Sequence, residues 1–164
     1  MAAGLTYTPI ATTTLTSTAT SYTISSIPST YTDLILISNT TGSSVDASLA
    51  IRFNADANAN YSSIRIVTDG TNIYNSIDSN ALRALVGVVS TNTESVSVAH
   101  INNYASTTTY KTVISYGGKT STYTCMQPSS WRSNSAISSM EIFITDGGTF
   151  NIGSQFTLYG IQAA

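Results

Sequence analysis

The stretch whose residue types and spacing come closest to a chemical site is Asp56-Ala57-Asn58-Ala59-Asn60, in which side-chain oxygens alternate with alanine. A calcium-binding loop opens with this alternation. Such a loop also needs a glycine and a late bidentate carboxylate, whereas Tyr61 and Val67 stand at those positions. Asp and Asn are also common in turns, because their side chains bond to nearby backbone groups. We therefore predict a turn at residues 56–60 and no metal site, with a calcium loop as the alternative.

Nucleophilic chemistry has few candidate residues. His100 is the single imidazole, and it lies in phase with Val96 and Val98 on a predicted strand. That phase indicates a half-buried strand histidine rather than a catalyst. The many serines include no Gly-x-Ser-x-Gly elbow, and a serine nucleophile needs a base and an orienting acid. We predict that the protein is not an enzyme and has no catalytic residues.

Carbohydrate chemistry is the remaining alternative. A glycosidase needs two carboxylates at a fixed separation. Most of the acids in this sequence stand beside turn residues, so we expect them to be solvated side chains of turns and not a catalytic pair. Trp131 and exposed tyrosines could stack on sugars, although tyrosines in strands usually pack across the sheet. The acids from which a pair could be drawn are Asp56, Asp69, Glu94, Glu141 and Asp146.

Composition predicts an all-β chain. Only 9% of the 164 residues are Asp, Glu, Lys or Arg, against roughly 25% in an ordinary soluble domain. Their place is taken by 26 Ser, 27 Thr and ten Tyr, and Thr and Tyr with Ile and Val favour strands. The length suits one domain over residues 1–164, with residues 1–9 as a short N-terminal arm. The single cysteine, Cys125, excludes an intrachain disulfide and is expected to be an inert buried thiol.

Charge and hydropathy exclude several classes of partner. Two lysines and four arginines stand singly, and the formal net charge is −2, so no basic patch can neutralise several phosphates of a nucleic acid. The first residues have neither the basic nor the apolar region of a secretory signal. Nothing approaches a membrane-spanning run. We expect a protein made in a cytoplasm that binds neither nucleic acid nor membrane and needs no cofactor.

Turn signals divide the chain into nine or ten short strands without an internal repeat, which is typical of a β-sandwich or barrel. The Thr-rich tract Tyr7–Thr23 is expected to form edge strands, with a disordered linker as the alternative, and Met1–Gly4 is expected to be frayed. Asp69-Gly70 is a hairpin signal, and Asp78–Leu85 is the single candidate for a short helical turn.

The clearest strand signal in the sequence is Leu34-Ile35-Leu36-Ile37, where four aliphatic residues are consecutive. A half-buried strand alternates apolar and polar residues, whereas this one is apolar at every position. We therefore predict burial on both faces, one against the opposite sheet and the other against a partner subunit or loop. Leu49, Ile51 and Phe53 alternate with more polar residues and predict an ordinary half-buried strand.

Five segments, in order along the chain, resemble small jelly-roll virion proteins of tailed bacteriophages, of the head-decoration or tail-fibre type. The match extends from about Tyr7 to Ile161. The resemblance implies a jelly-roll antiparallel β-sandwich and a homotrimer displayed on a virion, with no catalytic residues. The five segments are Tyr31–Ile37, Arg52–Asn54, Asn103–Lys111, Trp131–Ser133 with Ala136–Ile137, and Gly153–Ile161.

Two functions follow as expectations from this resemblance. The first is a capsid decoration or cement protein that binds the outside of the assembled head through the major capsid protein or another virion protein. The second is a tail-fibre or receptor-binding module that recognises a cell-surface glycan. Few residues precede the first predicted strands, and a fibre usually has a long attachment segment, so we favour decoration. Uncharged tracts such as Thr12–Thr32 also predict that copies of the chain cover its sheet edges.

Overall fold

The computed structural model describes residues 6–43, 47–91, 93–120 and 123–162. Within these ranges it contains strands, turns and one 3-10 turn at Thr145–Gly147, and no α-helix. The strands are β1 (Tyr7–Thr14), β2 (Ser21–Ile24), β3 (Asp33–Thr40), β4 (Ala47–Phe53), β5 (Tyr61–Thr68), β6 (Ile73–Ala81), β7 (Ala84–Val89), β8 (Ser95–Asn102), β9 (Lys111–Lys119), β10 (Tyr123–Met126), β11 (Ser129–Trp131), β12 (Met140–Ile144) and β13 (Gln155–Ile161). The prediction of an all-β chain is confirmed.

Two antiparallel sheets pack against each other. The small sheet has the order β2-β12-β4-β7. The large sheet begins β1-β13-β3-β8-β9 and continues through β10 and β5, with β6 paired to β5 at the far edge. Strands β10 and β11 share one position in this sheet, because each pairs with both β9 and β5. The predicted antiparallel β-sandwich is therefore confirmed.

From β1 to β5, consecutive strands lie in alternate sheets. After that, two groups of consecutive strands lie together in the large sheet. The β5–β6 hairpin is the first, and its turn contains the predicted Asp69-Gly70 signal. Strands β8 to β11 are the second. These groups widen the large sheet, and β6 has no cover on either face, since its residues from 73 to 80 are all exposed.

The core lies between the two sheets and is built by period-2 alternation. Leu49, Ile51 and Phe53 point inward from β4 and are at most 1% exposed, as predicted from the sequence. Phe53, Tyr61 and Trp131 form an aromatic cluster at one end, with ring centroids 5.4 to 6.3 Å apart. The backbone N–H of Phe53 donates to the Tyr61 hydroxyl at 2.9 Å, so the buried phenol has a partner.

The apolar run in β3 is buried on one face and partly on the other. Leu34 and Leu36 point into the core and are at most 1% exposed. On the opposite face Ile35 is 9% exposed, whereas Ile37 is 39% exposed. Within one copy of the chain, Ile35 is therefore covered but Ile37 is left exposed. Cover of Ile37 by a partner subunit stays a prediction.

Two further predictions differ from the structure at their boundaries. The helical turn predicted at Asp78–Leu85 is wrong, because Asp78 and Ala81 still pair with β5 and Ala84 begins β7. Ladder hydrogen bonds outweigh the weak helical propensity of so short a segment. In the predicted arm, residues 7–9 pair with β13 as part of β1, while residues 1–5, including the predicted frayed end, lie outside the described residues.

Candidate functional site

The largest candidate site is the face of the large sheet that points away from the small sheet. In β9, Lys111, Val113 and Ser115 point inward and are buried, so Ile114 and Tyr116 point outward. The same alternation in the neighbouring strands exposes apolar side chains by 39 to 74%. We call nine of them the outer patch: Ile37, Ile64, Ile66, Ile73, Ile77, Val96, Ile114, Tyr116 and Met126.

Strand register aligns much of the outer patch in rows. Ile77 of β6 lies opposite Ile64 of β5. In the next row Ile66 lies opposite Met126, which lies opposite Tyr116 of β9. Directly opposed residues in antiparallel strands have Cβ atoms roughly 4.5–5.5 Å apart. Ile64 and Ile77, and the row Ile66, Met126 and Tyr116, therefore lie side by side across strand boundaries. Ile37 extends this row through Val98.

The surface around the outer patch carries almost no charge. Outward-facing positions of β5, β6, β8, β9 and β10 hold no Asp, Glu, Lys or Arg. His100 lies on this face between Ile35 and Ile114, and its Nε2 is 3.4 Å from Asp33 Oδ2. The histidine side chain is 39% exposed. This is the half-buried strand histidine that the sequence phase indicates.

Two shallow grooves run beside the most protruding part of the outer patch. One has a volume of about 250 Å³ and is lined by Ile66, Ile73 and Met126 with neighbouring threonines. The other, about 320 Å³, lies along Ile64 and Ile77. Ile73 and Ile77 are themselves 73% and 74% exposed. Projecting side chains and receptive grooves therefore occur on the same surface.

A second concave site lies on the outward face of the small sheet. This cleft of about 380 Å³ contains Arg52, Arg83, Glu141, Phe143 and Asp146 in its lining. Arg52 Nη1 lies 3.3 Å from Glu141 Oε2, and the guanidinium carbon lies 4.3 Å from the centre of the Phe143 ring. The volume suits a small ligand, and the charged groups could bond to hydroxyls. Of the acids considered for catalysis, the cleft brings together Glu141 and Asp146.

The residues of the possible calcium loop form a self-contained turn. Asp56 Oδ1 accepts hydrogen bonds from the backbone and side-chain nitrogens of Asn58, and Oδ2 accepts from Asn60 Nδ2 and from Trp131 Nε1 at 2.7 Å. Burial raises the pKa of Asp56, but these hydrogen bonds outweigh it and hold the pKa below its usual value. The carboxylate is thus occupied by donors of the protein. The described residues include no group of three or more His, Cys, Asp or Glu that could hold a metal ion.

Trp131 does not offer a platform for a sugar. It is 2% exposed, and its ring packs against Phe53 and Tyr61. The alternative in which Trp131 stacks on a carbohydrate is wrong, because the indole is buried in the core and its Nε1 donates to Asp56 in the turn. Tyr110 and Tyr116 are each 59% exposed and remain open to contact.

Lys111 is a buried charged residue that the sequence interpretation passed over. Its side chain is fully buried, and its Nζ donates to the carbonyl oxygens of Ser106, Thr109 and Ser133 at 2.6, 3.1 and 3.1 Å. Burial lowers the pKa of this ammonium group. The available signal was its phase with Val113 and Ser115, which places the lysine on the inward face of β9.

The other candidate residues lie apart from these sites. Asp69 sits in the exposed β5–β6 turn, where backbone N–H groups of Asn72 and Thr71 lower its pKa to about 2. Cys125 is 7% exposed, and burial raises the pKa of its thiol. A buried thiol with a raised pKa is a poor nucleophile.

No protein-family model, curated protein or solved structure gives a significant match to the chain. Among the described residues no helix is long and apolar enough to cross a membrane. The outer patch and the small-sheet cleft are the two candidate functional surfaces among the described residues.

Proposed function

We propose that the chain is a structural protein of a bacteriophage virion, which binds the outside of the assembled head as a decoration or cement protein and stabilises it. Strand order is the observation that carries this proposal. Strands β1-β13-β3-β8 are four consecutive strands of the large sheet, and β2-β12-β4-β7 form the small sheet. The chain alternates between these layers, with β5–β6 and β9–β11 as insertions in the large sheet.

That order supports a jelly-roll interpretation, which stays a prediction. A jelly roll has eight antiparallel strands in two sheets and is the fold of many viral capsid and lectin domains. Because a fold alone does not define a function, the surface has to support the role as well. A broad uncharged face of the kind seen on the large sheet is typical of a subunit covered in an assembly. The partners proposed are copies of the chain, as a homotrimer, and the major capsid protein.

Head binding tests this proposal directly. Isolated heads of the encoding phage, prepared without the protein, are incubated with purified protein and sedimented, and the bound copies are counted against a standard curve. We expect saturation at hundreds of copies per head and a higher temperature of head rupture. Heads that already carry the protein are the control and should take up none. Saturation at a few dozen copies or fewer would overturn decoration and favour a fibre or tail location.

The small-sheet cleft favours a second candidate, a module that recognises a host cell-surface glycan. Arg52, Arg83 and Glu141 offer donors and acceptors in a volume suited to a small ligand. Against this, the guanidinium of Arg52 already covers the Phe143 ring, on which a sugar would stack. A glycan array distinguishes the candidates: retention that is lost in Glu141→Gln would support recognition in the cleft, and an array without signal would exclude the sugars on it.

A further inference from the structure

We infer that the outer patch is the surface through which copies of this chain associate, with β6 of one copy packed on the outer patch of the next. The inference adds a specific contact surface to the proposed self-assembling virion protein. It concerns the protein in solution, so its test is independent of head binding.

The size of the outer patch matches an interface. From the exposed fractions of its nine residues, backbone included, we estimate roughly 800 Å² of accessible surface in total. One partner contributes about this area to a standard protein–protein interface, whereas the largest apolar patch of a typical monomer is about 300–600 Å². An uncovered surface of this extent is therefore large for a chain that stays monomeric.

The charge of the outer patch suits a second copy. Two copies of a charged surface repel each other, so contact between like surfaces needs neutrality or alternating signs. Strands β5, β6, β8, β9 and β10 present no carboxylate, ammonium or guanidinium group on this face. Strand β3 contributes one carboxylate, Asp33, which lies 3.4 Å from His100 at the margin of the outer patch. A neutral apolar surface is complementary to itself without any matching of charges.

The shape of the outer patch points to the same partner. Ile73 and Ile77 project from β6, and the two shallow grooves that could receive such side chains adjoin them. Strand β6 is also an edge of the large sheet, since the described residues pair it with β5 alone. Natural edge strands are usually protected by Lys, Pro or other charges, and β6 carries one charge, Asp78. The guanidinium of Arg132 donates to the Ser79 carbonyl at one end of β6 at 2.7 Å, and the part of the edge around Ile73 and Ile77 lies open to a neighbouring copy.

Replacing the two projecting isoleucines tests this inference. Sedimentation velocity is run on the wild type and on the double variant Ile73→Glu/Ile77→Glu at micromolar concentration. We expect a wild-type oligomer and a variant monomer of 17.3 kDa, equivalent to a rise of at least about a hundredfold in the dissociation constant. Because both side chains are about three-quarters exposed, the far-UV circular dichroism of the variant should match that of the wild type.

Ile152→Glu is the matched control. Ile152 is 65% exposed in the loop before β13, outside the outer patch, so this variant should keep the wild-type oligomer. A monomeric wild type overturns the inference, and so does a folded double variant that still assembles. If the wild type is a monomer and its binding to heads is lost in the double variant Ile73→Glu/Ile77→Glu, the outer patch binds the major capsid protein. That result would overturn the inference and support the proposed function. If the wild type is an oligomer, the double variant is a monomer and neither binds heads, the inference is supported and the proposed function is overturned.

Discussion

Replacing Lys111 by methionine tests the internal ammonium group, the least expected feature of the core. The substitution keeps a long side chain beside Trp131, whose ring centre lies 5.7 Å from Nζ. It removes three donors, each of which meets one carbonyl oxygen. These bonds join the loop before β9 to the segment after β11, so their loss should loosen the end of the sandwich next to the aromatic cluster.

Two opposing effects set the magnitude. Burying an ammonium group costs several kcal/mol, and methionine removes that cost. Each carbonyl left without a donor costs about 1–3 kcal/mol if water cannot reach it. Thr109 is exposed, so its carbonyl can regain water, whereas Ser106 and Ser133 are half-buried. The two half-buried carbonyls together cost about 2–6 kcal/mol, and relief of the buried ammonium offsets part of this loss. We expect a net loss of about 1–4 kcal/mol in the free energy of unfolding, which corresponds to a Tm lower by roughly 2–16 °C.

Unfolding in guanidinium chloride, followed by Trp131 fluorescence and by circular dichroism, measures the loss in the free energy of unfolding. Lys119→Met is the control, because this second lysine lies on the same strand with its Nζ 3.8 Å from the centre of the Tyr123 ring. A partly exposed cation–π contact contributes about 0.5–1 kcal/mol. Equal losses in the two variants would refute the reasoning, since the three carbonyl contacts would then contribute nothing measurable.

Three further predictions concern stability and fold. Leu36→Ala should lower the free energy of unfolding by roughly 2–5 kcal/mol, against less than about 0.5 kcal/mol for Thr107→Ala in an exposed loop; similar denaturation midpoints would contradict the burial of Leu36. Tyr61→Phe should cost about 1–3 kcal/mol at neutral pH, because the N–H of Phe53 loses its acceptor. Burial raises the pKa of Tyr61, so the unfolded phenol ionises first, and stability present below pH 10 is lost as the pH rises above it; an equally steep alkaline loss in Tyr61→Phe would refute this contribution. Far-UV circular dichroism should be dominated by β-structure, and a helix content above about a third would contradict the fold.

The sequence alone determined the fold class and those features that depend on neighbouring residues, namely strand faces and tight turns. Period-2 alternation assigns Leu49, Ile51 and Phe53 to one face because successive side chains in a strand point to opposite sides. Asp69-Gly70 predicts its hairpin for an equally local reason, the backbone geometry of a tight turn. The turn at residues 56–60 also follows from side chains that bond to nearby residues. Each of these features depends on neighbours within a few positions.

Tertiary structure decided which face is covered and which distant residues meet. In β9 alternation places Lys111 and Val113 on one face and Ile114 and Tyr116 on the other. Hydropathy alone would predict that Ile114 and Tyr116 point inward, whereas the structure buries Lys111 and Val113. Three carbonyls from two separate loops make the inward lysine possible, and no local pattern encodes that arrangement. Asp78 likewise extends a strand because β5 lies beside it. The outer patch exists because strands distant in sequence align their exposed residues in one register, and this alignment is a property of the folded sheet.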